Sequence, residues 1–371
     1  MLKTYRHQKV ISKSLCRQAR LRKKMKKTLQ LSILFTLIIL VSGCSKKKSA
    51  KISASVQITD YADRLVTLEK PAERIVVMAD NAFVIVHQLD ALDKIVALDS
   101  KTKGYWNLYL ASKTNPKLEN LVDVGKTKNP NYELILSLNP DLILFKGNKE
   151  SADTLQSKTG IPIAVIQSKA GYDFSIYDVI GKLLGKEDRT KSVRNELESQ
   201  KERIEKLLKD VPEDKKKSAY IVVQNSKNNL FRTLRNADSL TLASVKNVAV
   251  NAGKVDEWGF AEISKEELLN WNPDFIILDY PLSEKAINKS VLKNDETYNF
   301  LKAVNNEQIY HTHNFSSPKD YVYVITEAYY YAHIAYPEIV SEDEYKKVVN
   351  SIFEKTYGIK DFYEEWKTSL D

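Results

Sequence analysis

A thirteen-residue pattern occurs twice in this 371-residue chain, its copies 133 positions apart. The first copy is Glu133-Leu134-Ile135-Leu136-Ser137-Leu138-Asn139-Pro140-Asp141-Leu142-Ile143-Leu144-Phe145. The second is Glu266-Glu267-Leu268-Leu269-Asn270-Trp271-Asn272-Pro273-Asp274-Phe275-Ile276-Ile277-Leu278. Each reads as a short amphipathic helix, an Asn-Pro-Asp stop and a buried parallel strand. Proline cannot continue the helix and disfavours helical geometry at the residue before it, so both Asn residues are expected to be extended. The apolar run after each Asp has the length and composition of a strand. Two such units at this spacing predict two similar α/β lobes, and a cleft between lobes is a common place for a small ligand.

The N-terminal segment indicates where such lobes reside. Met1–Gly43 carries eleven basic residues and no acidic ones. Lys23, Lys24, Lys26 and Lys27 precede the apolar run Leu29–Val41, which is short for a bilayer span and matches a signal-peptide core. Met25 makes a conventional start for this leader. The run ends in Val41-Ser42-Gly43-Cys44, which resembles the lipobox of bacterial lipoproteins and implies a lipidated Cys44 as the first mature residue. An ordinary secretory site with an incidental Cys is the alternative. Residues 44–54, with Lys46-Lys47-Lys48, then form a flexible tether whose charge can also meet anionic headgroups.

Removing the leader changes the charge reading. The whole chain has 57 basic and 48 acidic residues; without the leader's eleven, 46 basic face 48 acidic. The net +9 therefore belongs to targeting and gives no reason to expect nucleic acid as a partner. Cys16 lies in the leader and Cys44 takes the lipid, so the folded part must hold together by its core without disulfides or thiolate metal sites.

Val56–Thr59 and Leu65–Leu68 are expected to pair as a hairpin around Tyr61–Arg64. Strands follow at Ile75–Met78 and Ile95–Leu98, with a helix from about Ala82 to Leu92 between them. The first repeat supplies another strand, and Ile161–Gln167 a fourth, after a helix near Glu150–Lys158. This alternation predicts a parallel sheet in an N-terminal lobe over residues 55–172. A helical segment, 173–210, holds one helix at Phe174–Leu184 and a second, capped by Asp188, running to about Leu208. The latter is expected to be a stiff connector between lobes. The C-terminal lobe, 211–371, takes a strand at Ala219–Val223, a helix at Ser239–Val248, the second repeat and a strand at Gln308–His311. Helices at Lys319–Ala335, Asp343–Lys355 and Asp361–Ser369 close it.

The chain resembles the substrate-binding lipoproteins of bacterial ABC importers for iron complexes and cobalamin, the class with two α/β lobes joined by a rigid helix. The resemblance is carried by Ile58-Thr59-Asp60 with Arg64-Leu65-Val66, by Arg74-Ile75-Val76-Val77, and by the two E-x-x-L-x-x-N-P-D-x-I units. Ala335-Tyr336-Pro337-Glu338 and Phe353–Gly358 are similar to an iron-chelate and haem branch of that family. The resemblance implies that Glu133 and Glu266 dock onto arginines of the membrane permease, a role that bidentate carboxylate–arginine pairing makes physically reasonable. The same residues also suit a purely structural role. Both fall in a first helical turn, Asn131 and Ser264 can cap those helices, and Ser264 with Glu267 fits a capping box.

The ligand is expected at the carboxyl ends of both sheets. That selects Asp80, Tyr105, Trp106, Lys126 and Lys146 in the first lobe, and Arg232, Arg235, Trp258, Tyr280 and Phe315 in the second. Basic groups would neutralise an anionic iron chelate or haem propionates, and aromatic rings would stack on it. His87 and His333 read as core residues. No set of His and carboxylates suggests a naked-metal site; for haem, Met78, His313 and Tyr280 fit an axial ligand. No nucleophile elbow, zinc-protease or P-loop pattern is present in the sequence. The expected function is a monomeric, lipid-anchored, extracytoplasmic receptor without intrinsic cofactor. It would carry a ferric siderophore or haem to an ABC permease and its ATPase. A corrinoid receptor, a surface enzyme and an adhesin are the alternatives.

Overall fold

The computed structural model describes residues 55–167, 172–223, 230–256, 259–278, 289–294, 296–312 and 320–368. Alternating burial sets its first element. Val56 and Ile58 of β1 (Val56–Thr59) and Val66 and Leu68 of β2 (Leu65–Leu68) point inward, and the strands pair antiparallel from Val56↔Leu68 to Thr59↔Leu65. Asp60 closes the turn: its Oδ1 accepts the N–H of Ala62 and of Arg64, each at 2.9 Å. Its Oδ2 accepts the N–H of Val165 at 3.0 Å and fastens the hairpin to the first lobe.

That lobe is a five-stranded parallel sheet built on β3 (Ile75–Met78), with β4 (Ile95–Leu98), β5 (Val122–Asp123), β8 (Leu142–Phe145) and β9 (Ile163–Val165) in the order β5-β4-β3-β8-β9. A two-strand ribbon, β6 (Gly125–Lys126) with β7 (Asn129–Pro130), stands apart. β3 and β8 are buried on both faces, as helix-covered parallel strands are. Their residues alternate between two cores. Val76, Met78, Ile143 and Phe145 pack on one side with Ile135, Ala152 and Leu155, while Ile75, Val77, Leu142 and Leu144 face the other way.

The second sheet holds β10 (Ser218–Val222), β11 (Arg232–Leu234), β12 (Lys246–Asn247), β13 (Phe260–Glu262), β14 (Phe275–Leu278) and β15 (Ile309–His311), in the order β13-β11-β10-β14-β15 with β12 also on β10. Three departures from the expected elements occur here. β11 and β13 are antiparallel strands in segments read as loops, so this sheet is mixed. Each has only three residues, too few to show alternation. The helix expected at Ser239–Val248 ends at Leu242, because Ser244 turns left-handed (φ 55°) and Lys246–Asn247 joins β10 in parallel.

The first-lobe helices of consequence are α1 (Asp80–Gln88), α2 (Ser100–Gly104), α3 (Tyr132–Ser137) and α4 (Lys149–Thr159). α5 (Ser175–Leu184) ends on left-handed Gly185, and α6 (Glu187–Leu208) spans 22 residues, about 33 Å at the α-helical rise. Asp188 does not cap α6; it lies inside the first turn, where its charge favours the helix dipole. In the second lobe α7 (Lys265–Trp271) belongs to the repeat, and α8 (Tyr321–Ala335), α9 (Glu342–Tyr357) and α10 (Tyr363–Thr368) close the chain.

One hydrophobic cluster runs through both lobes. It joins Ile75 and Val77 of the first sheet to Ile221, Phe275 and Ile277 of the second through Leu183, Val193, Leu197, Ile204, Tyr329 and Phe353 of the helices. A buried polar bridge reinforces it. Gln88 donates to Asp320 Oδ1 (2.9 Å) and to the Tyr357 hydroxyl (2.6 Å), Tyr357 donates to Asp320 Oδ2 (2.7 Å), and Tyr177 donates to Gln88 Oε1 (2.5 Å). Burial pushes the Asp320 carboxyl up to about 6, against the hydrogen bonds that would lower it. Arg189 ties the same region together, donating to the backbone oxygens of Gln88, Lys355 and Thr356.

Candidate functional site

The repeated Asn-Pro-Asp does its work at the amino ends of the sheets. Asn139 and Asn272 are left-handed, with φ of 47° and 39°, and not extended as the following prolines suggested. Proline disfavours the right-handed helical region for its predecessor, and Asn tolerates the left-handed one that ends a helix. Asp141 then accepts the N–H of Glu73 (2.8 Å) and Arg74 (3.0 Å), at the entry to β3. Asp274 accepts the N–H (2.7 Å) and hydroxyl (2.8 Å) of Ser218, at the entry to β10. In both lobes the Asp pins the turn to the neighbouring parallel strand.

Each repeat helix runs antiparallel to the strand it feeds, so its N-terminus lies towards the carboxyl edge of its sheet. Glu133 and Glu266 both occupy the second helical position and are exposed. Among the described residues neither side chain has a hydrogen-bond or ion-pair partner. Glu267, by contrast, is spent on the capping box with Ser264, at 2.8 and 3.1 Å. Asn131 caps α3 through the N–H of Leu134 (3.0 Å). Capping is thus carried by other residues than Glu133 and Glu266.

At the carboxyl edge of the first sheet, β3 delivers Asp80, β4 leads to Asp99 and α2, and β8 delivers Lys146. Asp80 is 3 % exposed. Lys101 Nζ donates to its Oδ2 at 2.7 Å and Lys146 Nζ to its Oδ1 at 3.1 Å, with both lysine side chains half exposed. Burial alone would raise the Asp80 pKa; the bonds and charges of the two ammonium groups outweigh it and hold the carboxyl below its ordinary value. Asp99 caps α2 by accepting the N–H of Thr102 (3.2 Å) and Lys101 (3.3 Å), and burial raises its pKa.

The other predicted ligand residues divide. Tyr105, 45 % exposed, follows α2 on the same edge, and Lys126 is exposed on the β6–β7 ribbon. Gly125 makes that ribbon possible: its φ is 90°, and a Cβ there would lie 2.9 Å from the Asn129 oxygen. Trp106 is buried to 6 % and packs at a tilt on Phe83, 6.1 Å between centroids, so its surface is taken by the core. Met78 is fully buried towards Ile143 and Phe145, away from any axial position. Arg232 stays at the carboxyl edge, since its oxygen accepts the N–H of Val223; its guanidinium bonds Asp256 (2.9 Å) over the Phe260 ring. Arg235 does not. The unforeseen β11 runs back down the sheet and sets its Nε against the Val250 oxygen at 3.2 Å. Cys44, Trp258, Tyr280, His313 and Phe315 lie outside the described residues. His87 and His333 are structural: His87 meets Thr114 (3.1 Å) and the edge of Tyr357, and His333 Nδ1 meets the Val340 oxygen (2.8 Å). Lys101 was missed in the sequence, where nothing marks it.

The chain is similar to the ferric citrate-binding protein YfmC of Bacillus subtilis, 26% identical over 288 residues that cover 76% of this chain and 87% of the relative. It is similar to YvrC of the same organism, named as an uncharacterized ABC transporter substrate-binding lipoprotein, at 24% identity over 289 residues, 73% of this chain and 85% of the relative. Its fold matches the solved structure of the Haemophilus influenzae molybdate-binding protein MolA with a TM-score of 0.66 at 21% identity, covering 82% of this chain and 98% of that one. A family model, periplasmic binding protein, matches residues 75–314. The chain belongs to that family of ABC-transporter substrate-binding proteins, and it is a binding protein, not an enzyme.

Proposed function

We propose that this protein is a receptor anchored through a lipid on Cys44 at the extracytoplasmic face of a bacterial membrane, where it captures an iron complex, a ferric siderophore or haem, and delivers it to an ABC permease driven by its ATPase. The observation that carries the delivery reading is the pair Glu133 and Glu266. A duplicated unit presents, at the same helical position in each lobe, a carboxylate with no partner among the described residues, beside helix caps that do not need it. Two such groups can meet two permease arginines bidentately and fix the orientation of docking. An iron cargo is supported by the likeness to a ferric citrate-binding relative, and lipid anchoring by the likeness to a lipoprotein and by the Val41–Cys44 sequence.

The test has two arms. The full chain, purified in detergent, is titrated with ferric citrate, a ferric catecholate, haem and cyanocobalamin, read by visible absorption and tryptophan fluorescence; tight binding of cobalamin alone would replace the iron reading. The double variant Glu133→Ala/Glu266→Ala is then compared with the parent in whole-cell uptake. Loss of uptake with unchanged affinity is expected, and normal uptake would remove the docking role.

A further inference from the structure

β3 lies between β4 and β8, so the residue leaving β3 sits between the chains leaving its two neighbours. Asp80 occupies that central position, and Lys101 and Lys146 reach it from either side. Neighbouring strands lie about 4.8 Å apart, which puts the two flanking exits about 10 Å from each other. Two ammonium groups left to themselves would stay separated. Here each bonds one oxygen of the same carboxylate, so the cations are held side by side.

The layering matters as much as the pairing. The Asp80 side chain is 2 % exposed and the two lysines 50 %, so the negative charge is behind and the positive charges in front. Asp99, the other buried acid here, spends its carboxylate on the start of α2. An ammonium has three donors; among the described residues each of these uses one, on Asp80. A solute arriving at this edge meets two adjacent cations with donors to spare. Their natural complement is a group with adjacent anionic oxygens, such as the carboxylates of a polycarboxylate chelate or a small oxyanion.

We propose that Lys101 and Lys146 are the anion-gripping half of the ligand site, that Asp80 is the positioning residue which holds them together, and that the cargo presents clustered anionic oxygens. This deepens the receptor reading and rests on it. It also reassigns Asp80 from ligand contact to support, and adds Lys101.

The test titrates the full chain in detergent with ferric citrate, haem, sodium molybdate and cyanocobalamin. Lys101→Ala and Lys146→Ala should each weaken the anion that the parent binds by at least tenfold, and the pair by at least a hundredfold; since each removes a partner of buried Asp80 and lowers the ligand-free melting temperature, affinities are read well below each variant's own melting transition. Asp80→Asn separates positioning from bulk charge. It makes the edge more positive, so simple electrostatics predicts tighter anion binding, whereas release of the lysines predicts weaker binding; a fivefold or greater loss is expected. Tightening in Asp80→Asn would overturn the positioning role. Unchanged affinity in the double lysine variant would overturn the inference and leave the receptor reading standing. A parent that binds only molybdate, through the lysines, would uphold the inference and remove the iron cargo. A parent that binds only cyanocobalamin would remove both. Should Asp80→Asn fail to fold, the lysine variants decide the question alone.

Discussion

The two copies of the repeated unit share their backbone and differ in their fastenings. Both end a helix on a left-handed Asn, and both use the Asp to take N–H groups from the start of the adjacent strand. In the first copy Arg74 adds a cap, donating to the oxygens of Leu138 (2.7 Å) and Asn139 (3.2 Å), and α3 starts on Asn131 alone. In the second, Lys302 bonds Asp274 (3.0 Å), Asn272 accepts the N–H of Lys302 (2.9 Å), and α7 starts on a full capping box. Structural needs are therefore met by interchangeable parts. What recurs with no side-chain partner among the described residues, and no local use beyond its favourable charge at a helix start, is the exposed Glu at the second helical position, a group free to meet a partner outside the chain.

The comparison is most exposed at these glutamates. Truncating one partner of a hydrogen-bonded interfacial charge pair costs about 2–5 kcal/mol, so Glu133→Ala and Glu266→Ala should each weaken permease docking by about 30-fold or more, with melting temperatures unmoved. Unequal effects in a reconstituted docking assay would show that the two lobes are not read alike. Next come the aspartates. Asp141→Ala and Asp274→Ala each leave strand-entry N–H groups without their acceptor, a loss of about 2–3 kcal/mol in denaturant unfolding. A much smaller loss in one lobe would mean that its accessory cation carries the joint.

Acid titration sharpens the same contrast. The Asp274 carboxyl is held below its ordinary value: burial would raise it, and Lys302 and Ser218 outweigh that. Its contribution is present above the unfolded pKa and is lost as pH falls through the lower, folded one. Asp320 has the opposite sign. Raised to about 6, its contribution is complete below the ordinary value of 3.8 and is lost as pH rises through about 6. Melting temperature against pH should accordingly lose its fall below about pH 4 in part in Asp274→Asn, and lose a fall between about pH 4 and 6 in Asp320→Asn. The smallest effects belong to the caps. Ser264→Ala should cost about 1 kcal/mol, and Asn139→Ala or Asn272→Ala about 1 kcal/mol through left-handed strain that Asn139→Gly avoids.

Much of the fold was legible because its signals are local. The apolar runs at Val56–Thr59, Leu65–Leu68, Ile75–Met78 and Ile95–Leu98 sit between turn residues, and the strands keep those limits. Tyr329, Tyr330 and Tyr331, consecutive on α8, are all buried, as a mostly apolar helix among helices requires. The site was harder because its signals are not local. Lys101 matters only because β4 lies beside β3, an adjacency that no stretch of sequence displays. Trp106 shows why an aromatic after a strand is ambiguous: the same residue at the same place serves a ligand or the core, and here Phe83 claims it. Arg235 was placed by a loop that proved to be a strand, and running antiparallel to β10 from Val222↔Thr233, that strand carries it back from the carboxyl edge to the Val250 oxygen.

The apolar interior that passes without interruption from one lobe to the other has a consequence for signalling. Parting the lobes would expose that shared apolar surface to water, so a large hinge motion on loading is expected to be costly. The expected difference between loaded and empty forms is then at the rim, in side chains and loops, which a transporter would have to sense by touch at the mouth.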